Sequence, residues 1–158
     1  MGGFGALLGG DKKKKLKQGS AKDVYQGLSN DYAGVGTPYW ALLLSESCRS
    51  QGYKVGILDI LAEGISRKDA VERIKTLNPR LISVCVYGEN VNSGTTQMSG
   101  AVKLANLIKE SGVDIPVSFV GSHVQALPYK VLSEEPNIDI IFTNEGVYSL
   151  WNILKLKD

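Results

Sequence analysis

The stretch Leu81 to Val86, LISVCV, constrains the fold of this chain more than any other. A strand with one wet face alternates apolar and polar side chains. This one is apolar in both directions and rich in β-branched residues, so both of its faces must be covered. Pro116 to Val120 (PVSFV) and Ile138 to Phe142 (IDIIF) repeat the pattern, and Lys54 to Leu58 is a shorter apolar run closed by Asp59. Helical spacing fills the intervals between them. Strands buried on both faces and separated by helices imply an α/β fold, with a mostly parallel, doubly wound sheet of the flavodoxin-like or Rossmann-like kind and helices on both faces. A flavodoxin-like strand order also places the first strand inside the sheet. Phe4 to Leu8 is the segment expected to supply it, although glycine pairs flank it.

The helices are read from caps and stripes. Pro38 suits a first helical turn, with Thr37 as the expected cap. Trp40, Leu43, Leu44, Ser47 and Cys48 then share one face, and Gly52 ends the helix. Ser66 with Asp69 forms a capping-box pattern before the stripe Ala70, Val71, Ile74 and Leu77. Thr95 or Thr96 is the expected cap for a stripe of Met98, Ala101, Leu104, Ala105 and Ile108. Pro128 opens a short helix to Glu134, and Val147, Leu150, Trp151 and Leu154 mark a closing one. Ser20 to Gly36 reads as a long loop.

A length of 158 residues fits one domain with a core that needs no staples. No run approaches the ~18 apolar residues of a membrane span. Two cysteines, Cys48 and Cys85, make neither a disulfide framework nor a four-thiolate site and point to a reducing, cytoplasmic setting. The formal net charge is +2, yet residues 1–23 carry six lysines against Asp11 and Asp23. The chain therefore divides into a basic Gly/Lys-rich segment, 1–23, and an α/β domain, 24–158. The basic segment has its apolar run before its charges, the reverse of a secretory signal, and Ala6 stands where myristoylation needs a hydroxyl. No strand precedes its glycines and no helix obviously follows them, so a phosphate loop is not the expected reading. A solvated lysine run is the expected reading, with no clear nucleic-acid partner.

In doubly wound folds, ligands bind beyond the carboxyl ends of the strands. Small and polar residues follow three of the expected strands: Tyr87 to Thr96, Gly121 to Pro128, and Thr143 to Gly146. Glycines admit a ligand close to the backbone, and Ser, Thr and Asn give neutral hydrogen bonds. Helix N-termini expected at Thr95 and Leu127 would favour a phosphate. One such loop is ordinary turn chemistry, whereas three together suit a large ligand lying across the strand ends. His123 is the single histidine, and nothing supplies the further ligands of a zinc site. Cys48 lies in a helix and Cys85 in a strand, both as core residues. Glu89 and Glu145 are the carboxylates of the loops. No catalytic residue and no metal ligand is assigned.

The loops resemble the cobalamin (B12)-binding domain that precedes the catalytic barrel of many radical SAM enzymes. The resemblance runs from about Val24 to Leu154. It rests on Gly36-Thr37-Pro38-Tyr39-Trp40, on Gln51-Gly52-Tyr53-Lys54-Val55 with Asp59, and on Leu77-Asn78-Pro79. It rests above all on Val120 to Pro128, similar to the family's Gly-x-His-x-x-x-x-Pro stretch, followed by Asp139 and Asn144-Glu145-Gly146. The resemblance implies a corrin ring over the strand ends, held without catalysis by this chain alone. Carried over by position, the contacts are Gly88, Asn90, Ser93, Thr95, Thr96, Gly121, Ser122, His123 and Glu145. On that basis Gly121→Val is expected to abolish cofactor binding while leaving the fold largely intact.

Two departures from related patterns carry consequences. The Asp-x-His-x-x-Gly motif, whose histidine ligates cobalt from below, would need Asp at 121 and Gly at 126, where Gly121 and Ala126 stand. The domain is therefore expected to hold cobalamin without a histidine ligand. The three-cysteine cluster motif of radical SAM enzymes is absent, so this chain is expected to hold no iron–sulfur cluster. The barrel, if one is used, belongs to a partner or to another part of a longer enzyme. Two rivals share the fold. A ligand-free assembly domain would leave cobalamin unbound, and a flavin- or nucleotide-binding domain would purify yellow rather than pink.

Overall fold

The computed structural model describes residues 37–87 and 91–156. The basic segment 1–23, Phe4 to Leu8 and the loop Ser20 to Gly36 lie outside the described residues, as do Gly88 and Asn90. Among the described residues, six helices and three strands succeed one another: α1 (Tyr39–Ser50), α2 (Arg67–Leu77), β1 (Ile82–Cys85), α3 (Val91–Glu110), β2 (Val117–Val120), α4 (Ser122–Ala126), α5 (Pro128–Glu134), β3 (Ile140–Phe142) and α6 (Val147–Lys155). The strands are parallel and lie in the order β1-β2-β3. Ile82 faces Val117, Val84 faces Phe119, and Val120 faces Phe142 across the ladders.

The strands' two-residue period sorts side chains onto the two faces. Val84, Val117 and Phe119 join Ala70, Val71 and Ile74 of α2 and Ala101, Leu104, Ala105 and Ile108 of α3 in one buried cluster. Cys85, Val120 and Phe142 join Ala41, Leu44 and Cys48 of α1 and Leu150 of α6 in a second. Helices therefore cover both faces, as the doubly apolar strands require. Ser118 is the polar exception inside β2, fully buried, and its hydroxyl donates to the Ile82 carbonyl at 3.2 Å.

The foot of the sheet is tied by Asp139. Its Oδ2 accepts from the Val117 amide at 2.7 Å and pairs with Lys109 Nζ at 2.8 Å. Lys109 also donates to the Ile115 carbonyl at 3.0 Å. The capping box forms as its sequence requires: Ser66 Oγ accepts from the Asp69 amide at 3.1 Å, and the Asp69 carboxylate accepts from the Ser66 amide at 3.3 Å. Asn78, in the left-handed region at φ 43°, closes α2.

Four local expectations are corrected. Lys54 to Leu58 forms no ladder among the described residues. Val55 and Ile57 do pack on the second cluster and Leu58 on the first, so the alternation of a strand is present without its hydrogen bonds. Gly56 within the run and the exposed Lys54 weaken it as a strand. Thr37 does not cap α1; Pro38 occupies the cap position without a side-chain bond, and Thr37 serves through its carbonyl, which accepts from the Tyr39 amide at 2.9 Å. Neither Thr95 nor Thr96 caps α3, which starts at Val91 and holds both inside it. Leu43 and Leu77 fall off the buried stripes and are exposed.

Candidate functional site

The carboxyl ends of the three strands gather the segments in which the ligand contacts were expected. β1 runs out through Val86 and Tyr87, β2 through Gly121 into α4, and β3 through Thr143 to Gly146 into α6. The β1–β2 ladder extends one step upward, where the Val86 amide donates to the Val120 carbonyl at 2.7 Å. Beyond that point the backbones close on one another. A Cβ on Gly121 would strike the Val86 carbonyl oxygen and stand 2.6 Å from its carbon. One on Gly94 of α3 would strike Ser122 Oγ and stand 3.1 Å from the same Val86 oxygen. Gly121 also sits at φ +156° and is buried. It is therefore a packing glycine that lets β2 turn into α4 beneath Val86, and the expectation that Gly121→Val spares the fold is overturned.

Thr95 and His123 are brought together. Thr95 Oγ1 lies 3.0 Å from His123 Nδ1, which joins α3 to α4. Ser122 is half-buried beside Gly94, and Glu145 is exposed. Ser93 and Thr96 fall within the first turns of α3. The positive end of α3 therefore lies at Val91 rather than at Thr95, whereas Leu127 does stand at the N-cap of α5, without a side-chain bond.

Other residues of this face lie outside the set of contacts carried over by position. The Tyr87 ring stacks on Trp40 of α1, with centroids 4.4 Å apart and planes 20° apart. Gln125 Nε2 donates to Tyr87 Oη at 2.9 Å and to the Asn144 carbonyl at 2.9 Å. Asn144 Oδ1 accepts from the Gly146 amide at 2.8 Å, which opens α6 with Gly146 in the left-handed region at φ 87°. Spacings of 38 and 19 positions carry no periodic signal, so pairs such as Gln125 with Tyr87 or Asn144 are legible only in the folded chain. A surface cleft lined by Lys68, Val71, Glu72, Leu107 and Ser111 belongs to α2 and α3, away from the strand ends.

The electrostatics of the face are quiet. Glu145 is the only charge among the described residues of the post-strand segments and the start of α1. Burial, and then the charge of Glu145, push the Tyr87 phenol above its ordinary range. Burial raises the Cys48 thiol and pushes Cys85 up to about 12. Each of these acids is held neutral by the fold, so its contribution to stability is complete below its unfolded pKa and is lost as pH rises toward the folded value. Unfolding free energy is expected to be flat to about pH 9 and then to fall, by at most about 1.4 kcal/mol per pH unit for each group. Denaturant titrations from pH 7 to 11, with Cys85→Ala reducing the slope, check this. Rapid labelling of both thiols in the native protein at pH 8 would contradict it.

The family model of the B12-binding domain matches residues 25–153, a span that contains every post-strand segment described above. Comparison with curated proteins and with solved structures gives no match. With the match covering well over half of the chain, and a parallel sheet clad by helices on both faces beneath it, the protein belongs to the B12-binding domain family.

Proposed function

We propose that this chain binds cobalamin across the carboxyl ends of β1, β2 and β3, without a histidine on cobalt, as the cofactor-holding part of a radical SAM system. The observation that carries the reading is the chemistry of that face. Thr95, Ser122, His123, Thr143 and Asn144 offer neutral hydrogen-bonding groups, Trp40 and Tyr87 offer flat apolar surface, and Glu145 is the single charge among the described residues there. A corrin is a large ring fringed with amides, and such a surface suits it better than a row of charges. Gly88, Asn90, Ser93 and Thr96 join the proposed contacts by their positions in the sequence. Gly121 contributes by letting the backbones close, and Glu145 by bordering Tyr87.

The proposed absence of a histidine ligand follows from the surroundings of His123. No carboxylate stands two residues before it, where Gly121 is pressed against Val86, and its Nδ1 faces Thr95. Bound cobalamin supplies the organometallic chemistry, and the residues of this chain bind and orient it. The iron–sulfur cluster and the radical step are assigned to a catalytic partner, because two buried cysteines cannot supply a three-cysteine motif.

Mixing the protein with hydroxocobalamin and desalting tests the central claim. Corrin absorbance is expected to elute with the protein, and elution of all corrin in the small-molecule fraction would overturn the reading. The single histidine makes the axial-ligand claim separable. The electron paramagnetic resonance spectrum of the reduced, Co(II) complex is expected to be the same with ¹⁵N-histidine protein as with unlabelled protein. A change in the nitrogen splitting on labelling would place His123 on cobalt.

A further inference from the structure

Among the described side chains of this face, Gln125 makes hydrogen bonds to two different post-strand segments. It sits on α4, after β2. Through Nε2 it reaches Tyr87 after β1 and the Asn144 carbonyl after β3, at 2.9 Å each. Both hydrogens of one carboxamide nitrogen are thereby engaged by the segments on either side of its own. The tie continues outward at both ends. Tyr87 carries the stacked ring of Trp40, which brings in α1. Asn144 receives the Gly146 amide and, at 3.2 Å, the Ser149 hydroxyl, which brings in α6.

The helix that carries Gln125 cannot hold itself in place. Five residues make little more than one turn, below what an isolated helix needs, and the N-cap, Gly121, offers no side-chain bond. Its anchors include the fully buried Val124, which packs into the first cluster, the His123–Thr95 contact to α3, and the two bonds of Gln125, which alone among these reach the segments after β1 and β3. Val124 fixes how deep the helix lies. Gln125 fixes where the helix stands between its neighbours, and Ser122 and His123 ride on the same turn. A glutamine gives up considerable rotamer freedom when ordered, so its two well-formed bonds hold a defined geometry rather than decorate a surface.

We propose that Gln125 is the positioning residue of the binding face: by dividing one carboxamide between Tyr87 and the Asn144 carbonyl, it sets the spacing of the three post-strand segments and holds the Trp40–Tyr87 pair at the rim. The inference rests on the cobalamin-binding reading for what the face receives. It does not rest on that reading for the geometry itself.

The test uses the full chain carrying Trp151→Phe, which leaves Trp40 as its only tryptophan and a reporter of the stack on Tyr87. Gln125→Leu keeps the side-chain bulk and removes both bonds. Gln125→Glu loses both donated bonds, but its carboxylate can accept from the Tyr87 hydroxyl, reversing that bond, while it faces the Asn144 carbonyl without a proton to share. In the free protein, Gln125→Leu is expected to shift Trp40 emission, while Gln125→Glu stays close to the parent. The dissociation constant for hydroxocobalamin is expected to rise about tenfold in Gln125→Leu and by less in Gln125→Glu. Urea midpoints are expected to differ little between the three proteins.

Unchanged Trp40 emission together with unchanged affinity overturns the proposal. So does an affinity loss that merely tracks a falling urea midpoint with the emission unaltered, since that is the mark of a general packing residue. A parent that retains no hydroxocobalamin overturns the cobalamin reading. The positioning role is then decided by Trp40 emission alone, standing if Gln125→Leu shifts it and falling if it does not.

Discussion

Gly121→Val is expected to destabilise the domain by about 3–5 kcal/mol, the sum of overpacking and backbone strain at one site. The first methyl-bearing carbon would meet the carbonyl group of Val86, a backbone group with no freedom to swing aside. That carbonyl belongs to the residue whose amide extends the β1–β2 ladder, so relieving the clash means breaking the ladder. The conformation adds to the cost, because φ +156° is one that side-chain-bearing residues rarely adopt. Small domains have about 5–15 kcal/mol in total, so the variant is expected to be partly unfolded at 37 °C. Thermal and urea unfolding of wild type, Gly121→Ala and Gly121→Val will measure this, and Gly94→Ala is a useful contrast. Its new methyl meets the Ser122 side chain and stands 3.1 Å from the Val86 oxygen, a looser approach to backbone than at Gly121, and a smaller loss is expected. Wild-type stability in Gly121→Val would show that the close approach at Val86 is not a constraint.

Phe119→Ala is the second large effect, expected at about 3–5 kcal/mol. Phe119 is fully buried in β2, the middle of the three described strands, and is the largest of the fully buried side chains among the described residues. It faces the cluster built by α2 and α3, so its loss opens a cavity walled by a sheet on one side and two helices on the other. Neither wall can collapse without disturbing the register of Val84 with Phe119 and of Phe119 with Ile141. Phe119→Leu, which keeps most of the volume, is expected to recover about half of the loss. Equilibrium denaturation of both variants checks the ranking, and equal stability of Phe119→Ala and wild type would contradict the two-layer core.

These two residues also show what the chain discloses before folding. Phe119 was legible because a doubly apolar strand announces two covered faces. The two-residue period then assigns Phe119 to one face and Val120 to the other. The capping box at Ser66 and Asp69 was legible for a similar reason, since its chemistry is local in sequence. Gly121 stands out in the sequence as a glycine after a strand, but its packing against Val86 does not. Nothing in the sequence says that the space above its α-carbon is filled by Val86 rather than by a ligand. The Thr95–His123 contact and the two hydrogen bonds of Gln125 are pairings between segments far apart in sequence, and they emerge only when the sheet sets the segments side by side. Lys54 to Leu58 shows the opposite failure. Its composition and alternation are those of a strand, yet strand identity depends on a neighbour's backbone, and among the described residues it has none.

That last point bears on β1. Its ladder partner on one side is β2, and among the described residues its other edge pairs with nothing. The side chains behind that edge, Val84, Cys85 and Val86, are buried, so the edge is the margin of a hydrophobic slab and not a solvated fringe. Such an edge recognises peptide backbone of almost any sequence, because its hydrogen-bonding groups repeat whatever the side chains are. The outer edge of β3 is unpaired in the same way among the described residues, so the sheet presents two such margins, and a segment aligned along either would complete a ladder without touching the strand ends.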